Sequence, residues 1–366
     1  MTKIREIVNY LENLAPPAYQ ESYDNSQLLT GNIDWDVKGV LITLDCTENV
    51  IEEAISNGAN LVVAHHPVIF KGLKKITGSN YVERTVIKAI KNDIAIYAIH
   101  TNLDNVVGGV NKKFADLLEL KEQQILLPKS GLMHKLVVFV PEENTRQLLD
   151  ALHKAGAGNI GNYEGCSFRV TGTGAFEPND QANPHLGQKN QPEEVQENRI
   201  EIIFPFYLKA RIIQVMRKAH PYEEVAYYLQ ELENISQEVG SGMIGMMAEP
   251  KSAVEFLGYL KDKMKLPMIR HTATGNKKIQ RVAICGGAGS FLIQAAIARQ
   301  ADIMITADIK YHEFFEADDR LIIADIGHYE SERFTKELIY EHLTQIFTNF
   351  AVRLAETNTN PVRYYF

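Results

Sequence analysis

Continuous apolar runs alternate with amphipathic stretches in two distant parts of the chain. The first part has such runs at 38–46, 60–64 and 94–99, and the second has them at 281–285, 301–306 and 321–326. Strands that are apolar throughout, with helical spacing between them, are typical of a parallel sheet covered by helices on both faces. The pattern therefore predicts one α/β/α domain of the parallel type, assembled from two separate portions of the chain.

The segment between these portions has a different pattern, and we predict that it is an inserted module at 128–235. Its elements follow the order β-α-β-β-α-β, which is the order of a ferredoxin-like α+β fold. The two central strands flank residues 177–198, a polar stretch that we expect to form a loop. The α/β domain is then discontinuous, with parts at 1–127 and 236–366.

Charge and cysteine content narrow the classes of protein. The formal charge of −8 lacks the basic excess of general nucleic-acid binders, so we expect no direct nucleic-acid binding. Cys46, Cys166 and Cys285 form no CxxC motif, which argues against a thiolate zinc site and favours a reducing cytoplasm. The N-terminus predicts an amphipathic helix rather than a signal peptide, and no segment has the roughly 18 apolar residues of a membrane span.

Histidines and carboxylates follow four of the predicted strands, at the edge where open parallel sheets bind ligands. In chain order they are His65 and His66; His100 and Asp104; Asp308, Tyr311 and His312; and His328, Glu330 and Glu332. Imidazole and carboxylate together suit divalent first-row metals. Adjacent residues on extended backbone point in opposite directions, so His65 and His66 fit two neighbouring ions better than one.

Each of these residues also has an ordinary structural explanation. A single histidine after a strand is more often a surface residue than a ligand, and Glu330 and Glu332 would ordinarily be first-turn helix carboxylates. Four strand ends that converge on the same chemistry favour a metal site. Within it, Asp104 could bridge two ions with His100 orienting it, and His328 and Glu332 stand four residues apart on one helix face.

Three further segments carry weaker signals. Gly286, Gly287 and Gly289 could bring a phosphate to a helix N-terminus, but a tight strand-to-helix turn is the favoured explanation. The stretch HPYEE at 220–224 is interpreted as a solvated turn. Asp24 and Asn25 lie in a predicted loop that either lines a pocket or caps a turn.

Taken together, AHHPVIF, HTNLD, TADIKYH and GHYESE, with YDNSQLL and GGAGS, resemble the Nif-three-like family, whose members are named GTP cyclohydrolase 1 type 2 homologues. The resemblance implies a dinuclear metal site, a ring-shaped homohexamer, and an insert similar to the PII and CutA proteins. The implied metal ligands are His65, His66, Asp104, His328 and Glu332. Glu330 is then not a ligand, and Ala307 departs from the glycine often found in the third motif.

Two functions remain open at this stage. One is a metal-dependent hydrolase acting on a small, nucleotide-like molecule, with His312 moving protons and with His100, Asp308, Tyr311, Asp24 and Asn25 around the centre. The other is a non-catalytic metal-binding ring scaffold, a metal or ligand sensor, or a chaperone. Zinc is the first candidate for the ions, and the mixed ligands also accept iron, manganese or nickel.

Overall fold

The computed structural model describes residues 1–365, which separate into two units, one made of residues 1–128 with the chain from Gln237 onward and one made of 129–236. The strands are β1 (Gln27–Thr30), β2 (Gly39–Asp45), β3 (Leu61–His66), β4 (Ala95–Ala98), β5 (Lys121–Pro128), β6 (Met133–Pro141), β7 (Phe168–Phe176), β8 (Glu193–Pro205), β9 (Tyr227–Leu232), β10 (Gly240–Ser252), β11 (Arg270–His271), β12 (Lys278–Ala288), β13 (Ile303–Ala307), β14 (Ile322–Asp325) and β15 (Ala351–Leu354). The α-helices are α1 (Ile4–Leu14), α2 (Glu48–Ser56), α3 (Tyr81–Lys91), α4 (Thr101–Asp104), α5 (Val110–Leu117), α6 (Thr145–Lys154), α7 (Lys209–Ala219), α8 (Ala253–Met264), α9 (Ile293–Ala298), α10 (His328–Glu332) and α11 (Thr335–Ile346).

The first unit contains a five-stranded sheet with the order β1-β4-β3-β2-β15. Four of its strands run parallel, and β1 pairs antiparallel with β4 at one edge. The three apolar runs of the first portion are its three neighbouring inner strands β2, β3 and β4. Helices α2 and α3 bury one face of these strands and α1 buries the other, which explains why their sequences show no polar alternation.

The same unit contains a second sheet of six strands, with the order β11-β14-β13-β12-β10-β5. Its strands β12, β13 and β14 run parallel, whereas β10 and β11 pair antiparallel with β12 and β14, and β5 pairs antiparallel with β10. One apolar core contains residues of both sheets and of α1, α5, α8 and α11. The prediction of an α/β fold is confirmed, but each of the two portions builds most of its own sheet, so the unit has two sheets instead of one.

The unit at 129–236 has one antiparallel sheet with the order β7-β8-β6-β9. Helices α6 and α7 pack on one face of this sheet, around buried residues such as Leu136, Leu148 and Phe204. Strand β8 begins at Glu193, so it takes up the last part of the stretch predicted to be a loop. Gln196 and Asn198 pair with β7 there, because backbone pairing to an existing strand outweighs a polar composition.

Glu83 provides a stability prediction away from the strand ends. It lies in the first turn of α3, only 4% exposed, and its carboxylate accepts hydrogen bonds from the backbone N–H groups of Ser79 and Thr77 and from their hydroxyls. These bonds lower the pKa of Glu83 to about 2. The stability they give is complete above the unfolded-state pKa of about 4.3 and is lost as the pH falls through about 2.

We therefore expect Glu83→Gln to lower the urea midpoint of unfolding at pH 6, and the gap to wild type to close between about pH 4 and pH 2. Glu52→Gln is the control, because the Glu52 side chain is 61% exposed and pairs with Lys88 at the surface. A gap for Glu83→Gln that stays constant over this range of pH would contradict the assignment.

Candidate metal centre

The two adjacent histidines end strand β3, between β2 and β4. His65 is fully buried, and its Nδ1 donates to the carbonyl oxygen of Ile99 at 2.8 Å. His66 pairs in register with Asp45 of β2, and its side chain is 20% exposed. Their rings lie 4.9 Å apart between centroids, so both imidazoles reach the same end of the sheet. They are the last two residues of β3, so they lie at its carboxyl end, directly before Pro67.

Two short helices supply the remaining predicted ligands. Helix α4 begins two residues after the end of β4, following Ile99 and His100, and ends at Asp104. Helix α10 follows β14, starting at His328 and ending at Glu332, so the two side chains lie on one face. Glu332 is buried, with its side chain 3% exposed. Three chain segments that are far apart in the sequence thus bring imidazole and carboxylate groups together, as the strand-end pattern predicted.

Glu332 lies at the middle of this cluster. Its Oε2 is 3.0 Å from His66 Nε2 and 3.1 Å from His328 Nε2. Its Oε1 is 4.0 Å from His65 Nε2, and Asp104 Oδ1 is 3.6 Å from the same nitrogen. Among the described residues, the groups of three that could hold an ion are His66, His328 and Glu332; His65, Asp104 and Glu332; and His65, His66 and His100. The carboxylate common to the first two groups is Glu332, and Asp104 belongs to one of them.

Each histidine is fixed by a hydrogen bond at the ring nitrogen that faces away from the cluster. His66 Nδ1 bonds Asp45 at 2.7 Å, and His328 Nδ1 bonds Asp308 at 2.7 Å. His100 Nδ1 bonds Asp24 at 2.8 Å, so the carboxylate that it contacts is Asp24 and not Asp104. Such partners set the tautomer and leave the other nitrogen directed at a metal.

The charges around the cluster are strongly coupled. Burial opposes a charge on His66, but hydrogen bonds to Asp45 and Glu332 outweigh it and raise the pKa of His66 to about 10. Burial lowers the pKa of His65 to about 3. Burial, together with the Glu332 charge, raises the pKa of Asp104 well above its usual value. Burial alone would raise the pKa of Glu332 too, but bonds from His328 and His66 hold it well below its usual value.

Two atoms of the cluster are buried without a hydrogen-bond partner, which is costly unless something else binds them. They are His65 Nε2 and Asp104 Oδ1, which face each other. A neutral imidazole nitrogen and a carboxylate oxygen in this arrangement are lone-pair donors that a divalent cation would satisfy. The donor set therefore fits a metal ion, and the Nδ1 partners of the histidines fit it as well.

The other predicted residues take different places. The Asp24 carboxylate accepts hydrogen bonds from His100 and from the hydroxyl and backbone N–H of Thr101. The Asn25 side-chain amide donates a hydrogen bond to the Ile69 carbonyl oxygen. Asp308 has direct contact with His328. Tyr311 and His312 are exposed and meet edge to face, with their ring centroids 5.1 Å apart, outside the two cavities that adjoin the cluster.

Sequence reasoning missed two residues that hold the cluster. Asp45 fixes His66, and the Thr359 hydroxyl donates to the other oxygen of Asp45 at 2.6 Å. Asp45 carried the same signal as the named residues, since it ends a buried strand. Thr359 carried no signal, because it lies in a C-terminal segment without regular structure.

The glycine stretch leads from strand to helix as predicted, because β12 ends at Ala288 and Gly289 directly precedes the short 3₁₀ helix Ser290–Leu292, but Gly287 has a further part. It lies within β12 with φ of +64°, and a Cβ there would come within 2.4 Å of Glu332 Oε1. Its backbone N–H donates to Ser331 Oγ. The glycine therefore makes room for the central carboxylate.

We expect Gly287→Ala to displace Glu332 and to reduce bound metal by more than about half, because the nearest atom is a ligand oxygen. Gly58→Ala is a matched control, since Gly58 has φ of +67° and open space around its Cβ position. Elemental analysis of both purified variants checks this. An equal loss of metal from the two variants would show that backbone strain, and not displacement of the Glu332 carboxylate, causes the loss.

The fold and the cluster together define a class, namely an α/β protein with a histidine–carboxylate site of the metal-binding type. A sequence model of the DUF34/NIF3 (NGG1p interacting factor 3) family matches residues 2–361. The chain belongs to this family, which confirms the resemblance drawn from its motifs.

Similar proteins cover nearly the whole chain. A Bacillus subtilis protein named GTP cyclohydrolase 1 type 2 homolog is 38% identical, with 98% of each chain aligned, and a Halalkalibacterium halodurans protein of the same name is 39% identical, with 93% and 92% aligned. The solved structure of a Bacillus cereus protein related to NIF3 is 36% identical, with a TM-score of 0.83 over 100% of this chain and 99% of that one. Across the described residues, no helix is long and apolar enough to cross a membrane.

Proposed function

We propose that the protein binds two divalent metal ions per chain, held by His65, His66, Asp104, His328 and Glu332. The observation that carries this proposal is the presence of two donor groups that share one buried carboxylate, Glu332. His65 and Asp104 would complete one site, and His66 and His328 the other. Zinc is the first candidate, with iron, manganese and nickel as alternatives, because imidazole and carboxylate donors accept all four.

We propose further that this centre serves a metal-dependent hydrolase. When bound, paired divalent ions lower the pKa of water and polarise a substrate oxygen. A cavity of about 400 Å³ opens beside the cluster, and it includes Tyr23, Phe70, His100 and Phe291 in its lining. Its size suits a small molecule, and the aromatic residues would bind a planar one, which is consistent with a nucleotide-like substrate.

The residues around the ligands have distinct parts in this proposal. Asp45 and Asp308 would keep His66 and His328 oriented, and Asp24 would do the same for His100. His100 lines the cavity and is placed to orient a substrate or to accept a proton from it. The His312 side chain lies at the surface, and its role as a proton carrier remains a prediction. The activity of His312→Ala would test it.

The alternative is a non-catalytic protein that stores, delivers or senses metal. The ferredoxin-like order of elements in residues 128–235 supports it, since the resemblance to PII proteins implies a response to small molecules. Turnover separates the two functions. The protein is tested against panels of nucleotides, esters and amides with added zinc or manganese. If it is a hydrolase, we expect it to hydrolyse at least one of these compounds. His65→Ala/His66→Ala should lower that activity by at least about a hundredfold.

A protein with two bound ions and no turnover on any panel would support the scaffold or sensor function instead. Activity that survives the double substitution would show that the hydrolysis occurs elsewhere. Glu52→Gln, at the exposed surface of α2, controls for preparation effects.

We also propose that residues 128–235 form an inserted ferredoxin-like domain of the PII/CutA type between two parts of the metal-binding domain, 1–127 and 236–366. The chain order β-α-β-β-α-β and the sheet order β7-β8-β6-β9 support this. The family resemblance supports a cytoplasmic homohexamer, which light scattering on the purified protein would test. The acidic charge of −8 supports the absence of direct nucleic-acid contact.

A further inference from the structure

The unit at 129–236 has a cavity of its own, about 650 Å³ in volume, which we call the module cavity. One wall is the face of the sheet that α6 and α7 leave uncovered, including Phe139 and Val170. The opposite wall comes from the segment between β7 and β8, with Pro178 and Leu186. This volume lies within the range of small-molecule pockets, about 300–1,000 Å³.

Aromatic rings line the module cavity in two pairs. Phe139 and Tyr228 meet edge to face with their centroids 5.8 Å apart, and Phe176 and Tyr222 do so at 6.0 Å. Tyr228 is 60% exposed, so much of its ring is open to solvent. The negative faces of such rings attract organic cations as well as apolar groups.

The charged groups of the same cavity are mainly acidic. Glu197, Glu223 and Glu224 line it, and the cation among the lining residues is Arg199. Arg199 is already paired, since its Nη2 lies 2.8 Å from Glu201 Oε1. Glu223 accepts one hydrogen bond from the Asn183 backbone N–H, which does not neutralise it. The cavity therefore carries a surplus of negative charge.

A glycine on the neighbouring strand, Gly174, leaves space for one of these carboxylates, that of Glu197. A Cβ at Gly174 of β7 would lie 2.3 Å from Glu197 Oε2, so the Glu197 carboxylate lies in space that a side chain at position 174 would take. Both residues line the cavity. The carboxylate is therefore held on the floor of the cavity.

His220 ties the aromatic walls together. It is 7% exposed; its Nε2 donates to the Phe139 carbonyl at 2.8 Å, and its Nδ1 accepts from the Tyr222 backbone N–H at 3.0 Å. The stretch HPYEE is therefore not a simple solvated turn, as its sequence indicated. Its histidine is structural, and its Tyr222, Glu223 and Glu224 face the module cavity.

We propose that the module cavity binds an organic cation with an aromatic or apolar body. The rings would receive the body and part of the charge, and Glu197 with Glu223 and Glu224 would pair with the cationic group. This site includes neither the metal ligands nor the substrate cavity beside them. Failure of the proposed metal-dependent function would therefore leave this proposal unaffected.

Fluorescence titration of the full-length protein tests the charge preference. The probes are thioflavin T, an aromatic cation, and anilinonaphthalene sulfonate, an aromatic anion of similar size. We expect saturable binding of the cation, displaced by benzyltrimethylammonium and not by benzenesulfonate. Glu197→Gln should weaken the cation at least about tenfold, equivalent to about 1.4 kcal/mol, and Glu233→Gln, on the same module outside the cavity, should not.

Gly174→Val is a second variant, because it displaces the Glu197 carboxylate without removing it. Its melting curve is recorded first, and a folded Gly174→Val protein should also lose the cation. Equal or tighter binding of the anion, or cation binding that Glu197→Gln leaves unchanged, would overturn the proposal. So would a cavity closed by a second copy of the chain, which would show as no probe binding and as dissociation of oligomers on Gly174→Val.

Discussion

Glu332→Gln is expected to remove both metal ions from the chain, so that the bound metal falls from about two per chain to near zero. Glu332 belongs to both donor groups. One group contains His65 and Asp104, and the other contains His66 and His328. An amide at this position offers a neutral oxygen and an N–H group that repels a cation. Elemental analysis of the purified protein measures the loss.

Glu330→Gln is the matched control for this experiment. Glu330 is also buried, at 5% exposure, and belongs to the same short helix, but its carboxylate accepts from Asn360 and lies in none of the donor groups. This variant should keep about two ions. His328→Ala, which removes a ligand from one group, should keep about one. If Glu332→Gln and Glu330→Gln lost metal equally, the loss would reflect damage to α10 and not a shared ligand.

Removal of metal with a chelator is expected to lower the melting temperature of the wild-type protein by about 5–10 °C, measured against the protein in about a hundredfold excess of metal over its dissociation constant. The metal-free cluster leaves His65 Nε2 and Asp104 Oδ1 buried without partners. It should still fold, because His66 and His328 can both pair with Glu332 in the absence of an ion. The chelated protein should therefore show a single, lower transition.

Glu332→Gln provides the control for this second prediction. Added metal should not raise its melting temperature, whereas Glu330→Gln should respond like wild type. A chelator effect of the same size on Glu332→Gln would mean that the stabilising ion binds outside the cluster.

The sequence predicted the parts of the site that depend on local patterns. Apolar strands that end in His65 and His66 placed these residues at a sheet edge, and the four-residue spacing of His328 and Glu332 placed them on one helix face. Both predictions rest on the period of a single element, so tertiary contacts did not alter them.

The features that the sequence missed depend on contacts between distant segments. The partnership of Asp45 with His66 comes from the register of β2 beside β3, and Thr359 reaches Asp45 from the C-terminal segment. The central position of Glu332 depends on how α10 packs beside β12, where Gly287 leaves space. The antiparallel strand β10, which joins β5 to β12, gave no distinct apolar signal and makes the second sheet mixed.

The central claim is that one chain holds two metal ions on a shared carboxylate. It is tested most directly by the metal content of wild-type protein purified without chelator. Inductively coupled plasma mass spectrometry gives the metal concentration, quantitative amino-acid analysis gives the protein concentration, and their ratio is the number of ions per chain. We expect about two equivalents of divalent first-row metal per chain. A value near one would contradict the shared centre, and a value near zero that stays there after incubation with zinc, iron, manganese or nickel would contradict a metal site altogether.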